Sequence, residues 1–225
     1  MFRQKFWLGM KHSLPIVLGY FPLGFAFGMM GREAGLTVLD IVLMSTLVFA
    51  GAAQFIAVGL IGAGVDAGTI LATTFLVNIR HLLMSTALQP YLKGISRTTL
   101  GLVAFQITDE TFVVGSNYHA TQRPSHIFQL GLNMTSHATW IASSWLGAGI
   151  GTLVAQPERL GLRFALPAMF IALLVGQIKN KAAMTTAVTA GGISLLAGSF
   201  FPGNWHILLA ALVAASVGVL LEKWK

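Results

Sequence analysis

Asp109 and Glu110 stand side by side in an otherwise apolar stretch, Leu100 to Gly115, and Arg80 lies inside a second apolar segment, Ile70 to Leu88. A charged side chain at the centre of a bilayer costs roughly 2.5–3.5 kcal/mol on insertion scales. A chain only 9% charged that still places charges there points to a polar solute or an ion handled inside the protein. The Arg80 guanidinium offers a planar fork of donors that matches a carboxylate. Two adjacent acids repel in low dielectric, which makes Asp109 and Glu110 candidates to exchange a proton or to capture an ammonium.

Other polar side chains recur at helical spacing. Gln106, Asp109 and Glu110 fall at i, i+3 and i+4, one face of a regular helix. Asn78 and His81 share a face, whereas Arg80 points about 160° from Asn78. Either the helix breaks there or Arg80 has a separate partner, and an ion pair with Asp109 or Glu110 that only holds the fold is the structural alternative. Asn133, Ser136, His137, Trp140 and Ser144 form a stripe at i, i+3, i+4, i+7 and i+11. A stripe of this kind suits a water-lined passage, with Gln106, Asn133, Ser136 and Trp140 on its wall and His137 relaying protons. A fixed hydrogen-bond partner is the other reading of His137. Gln54, in Phe49-Ala-Gly-Ala-Ala-Gln-Phe55, serves either as an interhelical amide bond or as a ligand.

Long apolar elements must position these groups. The chain is 55% hydrophobic with a mean hydropathy of +0.76, well beyond a soluble domain. Runs of about 20 apolar residues recur along it, at Leu14–Met30, Ile41–Ile61, Thr69–Leu88, Leu100–Tyr118, Ile127–Val154, Leu162–Ile178, Ala182–Phe201 and Trp205–Leu221. The expectation is an all-α polytopic membrane protein of seven or eight transmembrane helices, forming a single domain over residues 1–225. Gly, Pro and charge punctuate the short dividers, such as Gly31 to Gly35, Gly62 to Gly68 and Lys93 to Arg97. Gly19-Tyr-Phe-Pro-Leu-Gly24 places Pro22 within the first span, which predicts a Pro/Gly-interrupted helix with backbone groups open to a solute. A Pro kink with Gly24-x-x-x-Gly28 as a packing face is the alternative. Phe21-Pro-Leu-Gly-Phe25 and Leu166-Pro-Ala-Met-Phe170 hint at an internal duplication.

The net charge of +7 reflects basic residues at the ends of apolar runs, so membrane orientation accounts for it without nucleic acid. Eight spans with both termini cytoplasmic put eight of the 14 Lys and Arg inside and Arg32, Lys93, Arg97, Arg159 and Arg163 outside. Lys93 and Arg97 fit that scheme badly, and a re-entrant segment before them changes the count. Cys is absent, which excludes disulfides and thiolate metal sites. The chain has no zinc-protease motif, no nucleophile elbow and no phosphate-binding Gly-x-x-x-x-Gly-Lys loop. Neither catalysis nor ATP hydrolysis by this chain is expected, and no metal or cofactor.

Five segments in order resemble the AzlC family of branched-chain amino acid permeases. They are Gly19-Tyr-Phe-Pro-Leu-Gly-Phe-Ala-Phe-Gly28, Phe49-Ala-Gly-Ala-Ala-Gln-Phe55, Asn78-Ile-Arg-His-Leu-Leu-Met84, Thr108-Asp-Glu-Thr-Phe112 and Phe164 to Leu174. Arg163 departs from the pattern, where an acid is expected. The resemblance implies a secondary transporter in the cell inner membrane that exports valine, leucine and isoleucine together with a small AzlD-type membrane partner. On that reading Arg80, Asn78, Gln54, Pro22, Gly24 and Phe25 bind substrate, and Asp109, Glu110 and His137 couple protons. The alternatives are a non-transporting scaffold or channel-like subunit, and a permease for another small solute.

Overall fold

The computed structural model describes residues 2–150, 171, 174, 175, 178, 180–200 and 205–223. The described residues are helical: α1 (Phe2–His12), α2 (Leu14–Glu33), α3 (Val38–Leu47), α4 (Gly51–Gly62), α5 (Ala67–Leu88), a 3-10 turn (Gln89–Leu92), α6 (Arg97–Phe105), α7 (Asp109–Thr121), α8 (His126–Ile150), α9 (Lys181–Gly198) and α10 (Trp205–Lys223). Local chemistry sets many of the boundaries. Thr37, Asp66, Ser96, Thr108 and Asn180 each cap a helix start by accepting a backbone N–H three residues on, which meets one of the orphan donors there. Gly35, Gly64 and Gly94 turn the chain with φ of 87°, 71° and 79°, a region that disfavours a side chain.

The chain divides into two compact units, Met1–Leu166 and Pro167–Lys225. In the second, α9 packs on α10, with Gly218 against the Thr186 side chain. In the first, α2 runs parallel to α8 along a seam of small residues. A Cβ on Gly24 would strike Ser143 Oγ, one on Gly28 the Ser144 carbonyl, and one on Gly147 the Phe25 carbonyl. Short α1 crosses the start of α8 in the same way, Gly9 against Phe128 and Gly131 against Phe6. The core follows this seam: Phe27, Phe55, Phe128, Leu132 and Trp140 are buried together.

The first span therefore differs from its expectation. α2 is continuous through Pro22, and Pro22 sits on an exposed face. The ring removes one helical hydrogen bond without ending the helix, because Tyr20 before it and Gly24 and Gly28 after it pack on α8 and hold both sides.

Two other expected spans are where the interruptions lie. α3 has 10 residues and α4 has 12, about 15 and 18 Å of helix at about 1.5 Å per residue, against a hydrocarbon core of ~30 Å. Ile41, near the start of α3, touches Gly31, and Gly62, at the end of α4, touches Ala34. Both ends of the pair thus lie beside the C-terminal end of α2. Ile41–Ile61 is a helical hairpin that enters and leaves at one end of the bundle. Leu100–Tyr118 is a second one, entered from the other end. Leu100 and Val103 join a cluster with Leu88, Leu92 and Leu130, while Tyr118 stacks on Phe128 and His119 on Tyr91. Gln106 caps the end of α6 and Thr108 the start of α7, so Gln106, Asp109 and Glu110 share no continuous helix face.

Within this unit α2, α5 and α8 run the full length of the bundle. α2, and α5 with its 3-10 turn, are each long and apolar enough to cross a membrane. The expected span Leu162–Ile178, with Arg163 and most of Phe164 to Leu174, lies outside the described residues apart from Ile171, Leu174, Val175 and Ile178.

Candidate functional site

A helix that stops leaves up to four carbonyls unpartnered, and one that starts leaves four N–H groups. Inside a bilayer-sized bundle, polar side chains must supply the partners. The stripe on α8 does this for both hairpins. Toward the first, His137 Nε2 lies 3.1 Å from the Ser45 carbonyl and Ser144 Oγ donates to Ser45 Oγ at 2.7 Å. Trp140 Nε1 donates to Gln54 Oε1 at 3.0 Å, which also accepts from the Ala50 N–H at 3.1 Å. Toward the second, Asn133 Nδ2 donates to the Val103 carbonyl at 3.2 Å and Gln106 Nε2 lies 3.1 Å from His137 Nδ1. Gln129 links Asn133 to His119, and Ser136 bonds the Leu132 carbonyl of its own helix. Gln106, Asn133, Ser136 and Trp140, expected on the wall of a passage, are buried and hydrogen-bonded within the protein.

The tip of the first hairpin is strained. Phe49 has a φ of 42°, an uncommon left-handed conformation for a bulky residue, and its ring stacks on His137 with centroids 4.1 Å apart.

The second tip carries the charge. Thr108 forms a capping box with Thr111, and Asp109 and Glu110 occupy the first turn of α7, where the positive end of the helix dipole favours carboxylates. Arg80, from α5, contacts Asp109 Oδ2 through Nη1 at 2.7 Å, with the two side chains 31% and 22% exposed. Arg80 thus has the separate partner that its direction on α5 required. Glu110 turns elsewhere: its Oε2 accepts from Tyr20 OH at 2.5 Å, and the same hydroxyl lies 2.7 Å from Thr108 Oγ1. Asn78 Oδ1 and Arg80 Nε are buried with no hydrogen-bond partner among the described residues. Each is a polar group that the protein leaves unmatched, one an acceptor and one a donor.

Of the remaining expected residues, Gln54 is 1% exposed and fully engaged by Trp140, Ala50 and Ser45. Gly24 lies in the α2–α8 seam and Phe25 is half-buried beside it. Tyr20, Ser45, Thr108 and Gln129 were not singled out by the sequence. The second break had a readable signal, since Thr108-Asp-Glu-Thr111 has the pattern of a helix start. Tyr20 had none, because its partner is ninety residues away in the chain.

Two opposed half-helix hairpins, packed on full-length apolar helices with charges at one tip, define an all-helical membrane protein with a polar centre. The AzlC protein family's profile matches residues 15–154, and the chain belongs to the AzlC family. It is 30% identical to the inner membrane protein YgaZ of Escherichia coli, over 95% of this chain and 89% of that protein. An uncharacterized membrane protein of Archaeoglobus fulgidus is 31% identical over 100% of this chain and 95% of its own. The branched-chain amino acid transport protein AzlC of Bacillus subtilis is 27% identical, over 98% and 88%. No solved structure gives a significant match.

Proposed function

We propose that this chain is the large subunit of a secondary transporter that exports branched-chain amino acids such as valine, leucine and isoleucine with a small AzlD-type partner. Membership of the family and the name of the Bacillus relative support the substrate class. The observation that carries the reading is the Arg80–Asp109 pair at the start of half-helix α7, in which Arg80 Nε is left unpartnered. A substrate carboxylate competes with Asp109 for the guanidinium fork, and Asp109, Glu110 or His137 carries the coupled proton. Discontinuous helices with charged groups near the midplane are the usual substrate architecture of such carriers.

Charge also supports an orientation. Arg3, Lys5, Lys11, Lys93, Arg97 and Arg123 gather at the end holding α1 and the start of α8, and Arg32 lies at the other end with Glu33, Asp40 and Asp66. By the positive-inside rule the N-terminal end is cytoplasmic. The hairpin arrangement brings Lys93 and Arg97 to that side.

A scaffold or channel-like subunit is the second reading, favoured by the internal satisfaction of the whole α8 stripe. Counterflow of labelled valine in proteoliposomes, with and without the small partner, separates the two. Exchange that requires Arg80 supports the transporter, and no exchange in either preparation refutes it.

A further inference from the structure

We propose that His137 is the proton-binding residue of this centre and that Gln106 senses its charge, so that one protonation is felt at the tips of both hairpins. This rests on the transport reading for its purpose but not for its chemistry. The His137 ring is 7% exposed and has one nitrogen on each hairpin: Nε2 faces the Ser45 carbonyl at the end of α3, and Nδ1 faces the amide of Gln106 at the end of α6. A carbonyl only accepts, so Nε2 carries the proton. Gln106 presents its NH2, so Nδ1 is the bare acceptor and the ring is neutral. Gln106 Oε1 meanwhile is buried with no partner among the described residues.

That orphaned oxygen fits the other charge state. When a proton from water binds the Nδ1 lone pair, Nδ1–H and the Gln106 NH2 become two donors face to face. A half-turn of the amide about its last torsion brings Oε1 onto Nδ1–H, fills the vacant acceptor and releases the NH2 into the second hairpin. Nε2–H keeps its bond to Ser45. Loss of the Nδ1 proton to water reverses each step, so atoms and charge balance.

The surroundings can hold the charge. The ring lies between the carbonyl ends of two half-helices, the negative poles of their dipoles. Phe49 stacks on it and Phe105 meets it edge-on. The ionisable groups of the neighbouring elements are otherwise engaged: Tyr20 of α2 holds Glu110 of α7, and Arg80 of α5 holds Asp109. His119 of α7 bonds Gln129, Asp40 sits in the capping box at the far end of α3, and Arg97 begins α6, at the end away from the ring. His81 of α5 carries no such bond, and none of these groups bonds the ring among the described contacts. An imidazolium here depends on Gln106.

The test is nitrogen NMR of histidine-labelled protein in bilayers between about pH 5 and 8, with His137→Gln identifying the signal. Wild-type protein should show Nδ1 protonation. Gln106→Leu, which removes the acceptor, should lose that step, and Gln106→Glu should keep the imidazolium to higher pH. A ring neutral throughout in wild type, or one titration shared by all three proteins, overturns the proposal. If the step behaves as expected but no labelled valine moves under any gradient, the proton site stands and the transport reading falls.

Discussion

The two hairpins share a plan and differ in what their tips contain. Each brings one helix C-terminus and one helix N-terminus to the middle of α8, and each has a backbone carbonyl bonded by an α8 side chain, Ser45 by His137 and Val103 by Asn133. The first tip, Val48-Phe49-Ala50, has no ionisable group. Its α4 lacks a capping side chain at Ala50, the Gln54 amide takes that role, and residues 52–55 are buried. The second tip is capped by its own Thr108, places two acids in the first helical turn, and meets Arg80 and Tyr20. One hairpin is sealed by packing and local strain, and the other is held by bonds that can be exchanged. A matched pair of half-helices can thus give one wall that stays and one that responds to a ligand.

The comparison depends on the hairpins entering from opposite ends, and this yields the largest effect. The chain lacks Cys, so single cysteines report sidedness cleanly. Cysteines at Gly35 and Gly64 should react with an impermeant label from one side, and those at Gly94 and Gln122 from the other, all or none. Straight spans at Ile41–Ile61 and Leu100–Tyr118 predict alternation, with residues 35 and 94 on one side and 64 and 122 on the other. That alternating pattern would remove both hairpins.

Next in size is the exchangeable contact. Arg80→Lys keeps the charge but loses the fork, and should lower valine counterflow by about tenfold or more, equivalent to about 1.4 kcal/mol, nearly as far as Arg80→Ala. Protein should still reach the membrane in normal amount. Counterflow by Arg80→Lys near the wild-type rate would make the pair a structural tie and the two hairpins equivalent.

The packed hairpin should answer the opposite way. Gln54→Leu leaves the Trp140 N–H and the Ala50 N–H without partners, each worth about 1–3 kcal/mol when buried. The expected result is a thermal midpoint several degrees lower in detergent, with valine affinity of the folded fraction unchanged. Weakened affinity at unaltered stability would move the first tip into the binding site.

How much of this was readable follows from how local each signal is. The dividers at Gly35, Gly64 and Gly94 were legible because a left-handed turn selects Gly. The pairing of Arg80 with an acid was legible because an unpaired charge is intolerable in an apolar bundle. Pro22 is the strongest local breaker, but the Gly24-x-x-x-Gly28 packing face, the alternative reading of that segment, meets α8 and overrides it. The true breaks fall at Phe49 and Ile107, which look apolar and helical in a hydropathy window. Their stability comes from His137, Trp140 and Asn133, up to ninety-two residues distant, and no local pattern encodes that. The α8 stripe is legible as polar, but two of the groups that face it are the backbone carbonyls of Ser45 and Val103, which every residue has.

The smallest effect isolates the second hairpin from the first. Tyr20 touches both: its hydroxyl bonds Glu110 and Thr108, while its ring meets Phe49 and Trp140 edge-on, with centroids 6.3 and 5.3 Å away. Tyr20→Phe keeps the ring contacts and deletes only the hydroxyl. The first hairpin should not notice, and the second should lose one anchor, worth about 1.5–3 kcal/mol for a bond to a charged group. Glu110 is half-buried, so water recovers part of that, and the fall in thermal midpoint should be smaller than for Gln54→Leu. Counterflow should slow less than in Arg80→Lys, because Arg80 and Asp109 still hold the tip to α5. A stability loss larger than that of Gln54→Leu would show α2, and not α8, to be the main support of the second hairpin, and the contrast between a fixed and an exchangeable wall would then fail.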